Sequence, residues 1–238
     1  MNGAIPWITS NSSTFPALST ALTDPNGLLA FGDELSPELI FQAYQHGIFP
    51  WFSDGDPVMW WSPDPRGIIN INQLTINKTL KKVINKVERK QHFQVTLNKN
   101  FDQVIELCAD APFRKEQTWI VYPMLNAYKI LHQQGKAHSI EVWLDNELVG
   151  GLYGVTVGGY FSGESMFYKE SNASKVALVY LAKLLQSIGV EFIDCQMLNP
   201  FLSSMGCIEV SRAEFIQQQQ QAMNIMPPSN FWRSRALV

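Results

Sequence analysis

The sequence predicts an α+β fold: a small loop-rich N-terminal domain over residues 1–64, then a larger domain over 65–238 built on a mostly antiparallel sheet flanked by helices. Three observations predict it. Turn signals and aromatics crowd the first 64 residues. Apolar residues then recur at helical spacing, and from Ser139 to Phe167 they alternate with a period of two before helical spacing returns after Asn172.

In the N-terminal stretch the turn signals are Asp24-Pro25-Asn26-Gly27, Ser36-Pro37, Phe49-Pro50-Trp51-Phe52 and Trp60-Trp61-Ser62-Pro63-Asp64-Pro65. One helix is expected there, capped by Ser36, opened by Pro37 and stopped at Gly47. Pro63–Pro65 marks the domain boundary. Between Lys78 and Lys90, Leu80, Val83, Ile84 and Val87 share one side of a helix, while Lys78, Lys81, Lys82, Lys86 and Arg89 share the other. Further helices are expected over Phe101–Ala109 and from Pro123 to just before Gly135.

Three antiparallel strands follow: Ser139–Leu144, Glu147–Val157 after an Asp145-Asn146 turn, and Tyr160–Phe167 after Gly158-Gly159. Asn172 is read as the cap of a helix with Val176, Ala177, Tyr180, Leu181, Leu184, Leu185 and Ile188 inward, closed by Gly189. Val190–Met197 returns to a strand. The C-terminal region reads as a helix over Glu214–Met223, a Pro227-Pro228 break and an irregular tail with Trp232.

The bulk numbers narrow the function classes. A chain of 238 residues that is 46% hydrophobic can bury a sizeable core, which excludes global disorder. Its net charge of -3 exerts no overall pull on nucleic acid, so RNA contact requires a local basic patch. Cys108, Cys195 and Cys207 form no even framework, which suits free thiols in a reducing compartment. No basic leader and no run of about 18 apolar residues is present, so a cytoplasmic protein without a membrane span is expected.

Several familiar chemistries do not fit. Gly163-Glu164-Ser165-Met166-Phe167 lacks the second glycine of a serine nucleophile elbow. His46, His92, His132 and His138 have no metal-ligand spacing, so no metal is expected. Cys195 paired with His138 is conceivable as a thiol nucleophile, but a strand cysteine between Ile193 and Met197 is more often packing. The glycines at 150, 151, 154, 158 and 159 match neither a dinucleotide fingerprint nor a phosphate loop; turns and close backbone approach explain them.

Three features carry a functional reading beside a plain one. The basic face of the helix that begins at Lys78 can neutralise backbone phosphates, or can be a solvated helix face. Asp194 and Gln196, two apart on a strand, are expected on one face, where apolar neighbours require them to be hydrogen-bonded or used. Glu164 lies in a strand of small and aromatic residues and is either at a solvated edge or in a site.

The chain resembles the leucyl/phenylalanyl-tRNA–protein transferase family. The resemblance rests on ordered blocks: Asn26–Ala30, Gly47-Ile48-Phe49-Pro50-Trp51-Phe52, Trp60–Arg66, Thr118-Trp119-Ile120, His138–Trp143, Gly150–Val155, Gly163–Phe167, Ala173-Ser174-Lys175, Ile193–Gln196 and Asn230-Phe231-Trp232. It implies an acetyltransferase-like fold for the C-terminal domain. It implies transfer of Leu or Phe, and less readily Met, from aminoacyl-tRNA to proteins with N-terminal Arg or Lys, marking them for degradation.

Carried over by position, the resemblance places the aminoacyl pocket on Leu152, Phe161, Glu164, Leu178, Leu181, Leu185 and Ile193. It places the terminal adenosine on Trp51 and Trp119, the tRNA backbone on Lys78, Lys81, Lys82 and Lys86, and the chemistry on Asp194 and Gln196. No cofactor is implied, and a monomer is the simplest expectation. Our hypothesis for the mechanism is that Gln196, polarised by Asp194, accepts a hydrogen bond from the attacking amine, with water or the terminal ribose hydroxyl as the alternative route for the proton. Leu178, Leu181 and Leu185 do share a helical face. Phe161 and Glu164 have opposite strand parity, which a bulge near Gly163 would reconcile. An acetyl-coenzyme A acyltransferase is the rival on the same fold, but no glycine-rich pyrophosphate loop precedes Ala173. A non-enzymatic tRNA-binding module is the rival of another class.

Overall fold

The computed structural model describes residues 5–9, 14–110 and 120–238. The architecture is α+β, with a small sheet and a large, mostly antiparallel one flanked by helices. The N-terminal part contains β1 (Trp7–Ile8), β2 (Leu28–Gly32), α1 (Pro37–Gln45), β3 (Phe49–Pro50) and β4 (Val58–Trp61). These strands form a four-stranded sheet in the order β1-β2-β4-β3. As the sequence predicts, Ser36 caps α1 by accepting from the Leu39 N–H, and Pro37 occupies its first position.

The remaining elements run β5 (Arg66–Asn70), α2 (Lys78–Glu88), β6 (Gln94–Leu97), α3 (Phe101–Ala109), α4 (Tyr122–Gln133), β7 (Ala137–Leu144), β8 (Glu147–Val157), β9 (Tyr160–Tyr168), α5 (Ala173–Gln186), β10 (Phe192–Gln196), α6 (Pro200–Ser204), β11 (Cys207–Val210), α7 (Arg212–Met223) and β12 (Arg235–Ala236). The eight strands of the large sheet lie in the order β11-β5-β10-β9-β8-β7-β6-β12. The expected meander is its centre, as β7-β8-β9.

The structure adds strands that the sequence did not mark, and it corrects two expectations. Residues 66–70 form a strand between β10 and β11; their run of buried Ile68 and Ile69 lacks the alternation that marks a half-exposed strand. Residues 94–97 form a second unexpected strand, β6. The tail is not wholly irregular, because Arg235–Ala236 pairs with Leu97 and Thr96. Asn172 stands at the helix start but does not cap it: its backbone is left-handed (φ 70°) and its side chain bonds to Ser171.

One apolar cluster joins the two parts of the chain. Tyr44, Phe49 and Trp60 from the first part share it with Val104, Tyr128, Tyr153 and Phe167 from the second. A second cluster packs α2 and α5 on the other face of the large sheet, through Leu80, Ile84, Val87, Leu178, Leu181 and Leu185. The buried face of α2 alone, Leu80, Ile84 and Val87, is worth roughly 5–8 kcal/mol in apolar transfer terms. α5 sits close on the sheet because Gly150 has no side chain; a Cβ there would meet the backbone of Ala173 and Ser174 at 3.0–3.1 Å.

The parallel β9–β10 contact positions the site. The two strands share one register pair, Asp194 opposite Ser162. Beyond it both are bulged. In β9, Tyr153 pairs with Ser165 and Gly154 with Gly163, so Glu164 is the extra residue. In β10, Asp194 pairs with Ile68 and Gln196 with Gly67, so Cys195 is extra. The bulge expected near Gly163 is therefore present, and a second one faces it. Each bulge bends its strand and breaks the alternation of side chains.

Candidate functional site

The two bulges open onto a cavity of about 630 Å³. Leu152 of β8, Phe161 and Glu164 of β9, Leu178 and Leu181 of α5, and Ile193 of β10 line it. The bulge at Glu164 is what allows Phe161 and Glu164 to reach the same space. Leu185 does not line the cavity; it is fully buried behind it in the α5 core. One helical turn beyond Leu181, it supports the wall rather than forming it.

At the mouth, Trp51 is 38% exposed and packs edge-on against Trp61, with centroids 5.5 Å apart. The indole N–H of Trp61 donates to the Trp51 carbonyl at 2.7 Å, holding that loop in place. Trp119 lies outside the described residues. The opposite lip is Met197, Leu198, Phe201 and Leu202, which sequence reasoning missed. The chain reaches that position because Gly67 lets it cross: a Cβ on Gly67 would stand 2.9 Å from the Met197 carbonyl carbon.

Asp194 and Gln196 do not share a face, contrary to the i, i+2 expectation. Cys195 is inserted between them in register, and Gln196 has a left-handed backbone (φ 63°). Ile193, Cys195 and Gln196 line the cavity, while Asp194 is wholly buried and does not line it. Asp194 accepts the Arg66 Nε–H at 2.9 Å and the Nη2–H at 2.7 Å, a bidentate pair. It also accepts from the Tyr160 hydroxyl at 2.5 Å, the Ser162 hydroxyl at 2.9 Å and the backbone N–H of Gln196 at 2.9 Å. Burial works against this carboxylate, but the Arg66 charge and these donors hold its pKa below the usual range.

Asp194 thus reaches Gln196 through the backbone and does not polarise its side chain. Its acceptance of the Gln196 N–H closes an Asx-type turn that stabilises the left-handed residue. Arg66 is fixed in turn by the Gly47 carbonyl at 3.1 Å and by the rings of Phe49 and Phe215, 4.8 and 4.4 Å from the guanidinium carbon. Sequence reasoning gave Arg66 no role. Its signal was its place beside the turn-rich boundary, at the start of an apolar run.

The Gln196 side chain is instead tied to Glu164: its Nε2–H donates to Oε1 at 2.7 Å. Glu164 is buried, and not at a solvated edge. The Tyr44 hydroxyl donates to Oε1 at 2.5 Å and the Tyr128 hydroxyl to Oε2 at 2.9 Å. Burial raises the pKa of Glu164 to about 7, with the phenol donors opposing that rise. Burial and the neighbouring Glu164 push both phenols well above their ordinary value, so they remain proton-bearing donors. Tyr44 and Tyr128 were also missed. The available clue was a tyrosine on the apolar face of each helix, because a buried phenol needs a partner.

The lysine face is as the periodicity predicts: Lys78, Lys81, Lys82 and Lys86 are exposed on α2, and Asn77 caps the helix through the Leu80 N–H at 2.8 Å. Glu88 bonds Lys183 of α5 at 2.7 Å, pinning the helix beside the cavity wall. The conceivable Cys195–His138 pair does not form. His138 contacts Asn98 at 2.9 Å and stacks on Trp232, and burial lowers its pKa to about 3. Among the described residues no cluster of His, Cys, Asp and Glu has metal-holding geometry, and no helix is long and apolar enough to cross a membrane.

The site therefore combines an apolar cavity, an aromatic at its mouth and a carboxylate–amide pair on its wall. Two family models match in tandem: Leucyl/phenylalanyl-tRNA protein transferase N-terminal domain at residues 33–64, and Leucyl/phenylalanyl-tRNA protein transferase at 68–220. A leucyl/phenylalanyl-tRNA–protein transferase of Colwellia psychrerythraea is 59% identical over 96% of this chain and 95% of its own length. Its counterpart in Pseudoalteromonas atlantica is 52% identical, covering 94% of each chain. Among solved structures, L-PGS from Bacillus licheniformis aligns with 14% identity and a TM-score of 0.40, over 72% of this chain and 54% of that one. With both family models matched in order and identity above one half across nearly the full length of these relatives, the chain belongs to the leucyl/phenylalanyl-tRNA protein transferase family.

Proposed function

We propose that this transferase moves Leu or Phe, and less readily Met, from aminoacyl-tRNA onto proteins that begin with Arg or Lys, in the cytoplasm, so marking them for degradation. The observation that carries the reading is the apolar cavity with the Gln196 amide and Glu164 on its wall. An unbranched-Cβ side chain fits between Leu152, Phe161, Leu178, Leu181 and Ile193, where each mismatched methylene costs about 1–3 kcal/mol. Trp51 stacks on the terminal adenosine, an interaction worth about 1–3 kcal/mol per base, with Trp119 as its companion. Lys78, Lys81, Lys82 and Lys86 neutralise tRNA phosphates.

The aminoacyl ester brings its own activation, so the protein's part is orientation and proton handling. A C–N bond forms between the acceptor's α-nitrogen and the aminoacyl carbonyl carbon. The C–O bond to ribose breaks, and its electron pair leaves with the ribose oxygen, which ends as a hydroxyl. Gln196, its Nε2 committed to Glu164, offers its amide oxygen to the attacking amine. Asp194 positions Gln196 by holding its backbone, and Arg66 positions Asp194. Holding amine and ester in contact can remove several kcal/mol of the barrier.

The test mixes the protein with Leu-tRNA and peptides starting with Arg, Lys or Ala, with Gln196→Ala alongside. Leucine is expected on the first two peptides only, with turnover lost in the variant. Salt-sensitive tRNA binding without any transfer would instead identify a binding module, and near-wild-type turnover of Gln196→Ala at saturation would remove Gln196 from the chemistry.

A further inference from the structure

The oxygens of Tyr44, Tyr128 and Glu164 close a triangle. Tyr44 stands 2.5 Å from Oε1 of Glu164, Tyr128 stands 2.9 Å from Oε2, and the two phenol oxygens are 2.7 Å apart. Three hydrogen-bond edges need three protons, and the two phenols bring two. With Glu164 as a carboxylate, both phenol protons are drawn to it and the phenol–phenol edge has none. With Glu164 as a carboxylic acid, a ring forms in which Oε2 donates to Tyr128, Tyr128 to Tyr44 and Tyr44 to Oε1. The triangle is therefore built to hold one proton more or one fewer without moving its heavy atoms.

Its position gives that capacity a use. Glu164 lines the cavity and its Oε1 accepts from Gln196, so the triangle meets the reacting space at the carboxyl. Tyr44 lies on α1, Tyr128 on α4 and Glu164 on the β9 bulge, so three separate elements must agree for it to form. Among the described residues, the charged and titratable groups around it are few. Arg66 of β5 and Asp194 of β10 act at a distance, paired with each other, and the Tyr153 ring of β8 packs edge-on against Tyr128.

We infer that Tyr44, Tyr128 and Glu164 form a proton-holding triad for the transfer reaction, in which the Glu164 carboxylate takes the proton shed by the attacking amine and returns it to the departing ribose oxygen. The proton leaves nitrogen as the C–N bond forms and reaches oxygen as the C–O bond breaks, so nothing is consumed. Glu164 is the group that meets the substrate; Tyr44 and Tyr128 are positioning residues that set how strongly it holds the proton. The inference rests on the aminoacyl-transfer reading above.

The experiment records kcat/KM for leucine transfer to an Arg-started peptide across pH, for the wild type and for Tyr44→Phe, Tyr128→Phe and Glu164→Gln. The acceptor amine, with a pKa of about 7.7–8.0, supplies one ionisation in the acid limb of every profile. The triad adds a second in the wild type, which Glu164→Gln lacks. Each Tyr→Phe removes a donor that favours the carboxylate, moving that second ionisation upward; a rise of about one unit makes the loss between alkaline and acid pH about tenfold larger. Uniform losses at all pH, or a second ionisation persisting in Glu164→Gln, would overturn the inference. Should a variant fail to fold, carbon-13 titration of the Glu164 carboxyl in the wild type decides: a midpoint near neutrality supports the triad, and one below about pH 5 rejects it. A wild type that transfers no leucine at any pH would overturn the parent reading, whereas normal transfer with unshifted profiles would overturn the triad alone.

Discussion

Glu164→Gln should make the folded protein more stable at alkaline pH while impairing it as an enzyme. Glu164 is raised from an ordinary 4.5 to about 7, chiefly by burial. The folded state therefore binds this proton more tightly than the unfolded chain does. Its contribution to stability is fully present below about pH 4.5 and is lost as pH rises through about 7, because the unfolded state sheds the proton first. The gap corresponds to about 3 kcal/mol. A glutamine has the shape of the neutral acid and nothing to ionise, so the variant escapes that loss. Urea denaturation of both proteins at about pH 4.5 and pH 8 isolates the effect, since every other titrating group is common to the pair. The stability difference should move toward the variant by about 3 kcal/mol between the two conditions. A difference that stays constant to within about 0.5 kcal/mol would refute the reasoning, and with it the view that Glu164 is held near neutrality.

Arg66→Met should destabilise the fold by about 3–5 kcal/mol, because it strands a buried carboxylate that keeps three other donors. Since the Asp194 pKa is depressed in the folded state, its stabilising contribution is present above the unfolded value of about 3.9 and lost as pH falls through the folded one, so the cost of the substitution should shrink in acid; an equal cost throughout would contradict the pairing. Replacing Lys78, Lys81, Lys82 and Lys86 together by Ala should weaken tRNA binding and flatten the dependence of log affinity on log salt by about 0.7–0.9 for each phosphate left without its lysine; an unchanged slope in a binding titration would place the tRNA elsewhere. Leu181→Phe narrows the cavity and should lower Phe transfer relative to Leu by roughly tenfold or more in a competition assay, and an unaltered ratio would remove Leu181 from the amino-acid wall.

Much of this molecule was legible because local chemistry and tertiary structure agree. Ser36-Pro37 starts α1 by the hydrogen bond the serine side chain can make, apolar spacing from Lys78 marks α2, and the Asp145-Asn146 and Gly158-Gly159 turns space the central meander. Of the pocket residues the family resemblance implies, Leu152, Phe161, Glu164, Leu178, Leu181 and Ile193 line the cavity, and helical periodicity accounts only for Leu178 and Leu181. What was hidden lies where periodicity breaks or where partners are remote in sequence. β5 carries no alternation because both its faces are covered. The Cys195 bulge, which separates Asp194 from Gln196, has no residue signature, since it arises from how β5 and β10 register. Arg66 and Asp194 are 128 residues apart, and Tyr44 and Glu164 are 120 apart, so their pairing exists only once the sheet is assembled.

The two bulges explain why the site contains one carboxylate of each kind. Glu164 and Asp194 lie on neighbouring strands, both buried, and desolvation is the largest influence on each. In regular strands they would have no reason to differ. The bulge in β10 leaves Asp194 facing Arg66, whose bidentate bond keeps it ionised and whose grip passes to the Gln196 backbone. The bulge in β9 turns Glu164 the other way, toward two phenols and the cavity, where it has hydrogen-bond donors and, among the described residues, no cation bonded to it. Environments that push two acids apart in this manner suit one to permanent charge and the other to proton exchange near neutral pH. On this reading the acid two residues before Gln196 acts as its anchor, and the acid 32 residues away acts as its chemical partner.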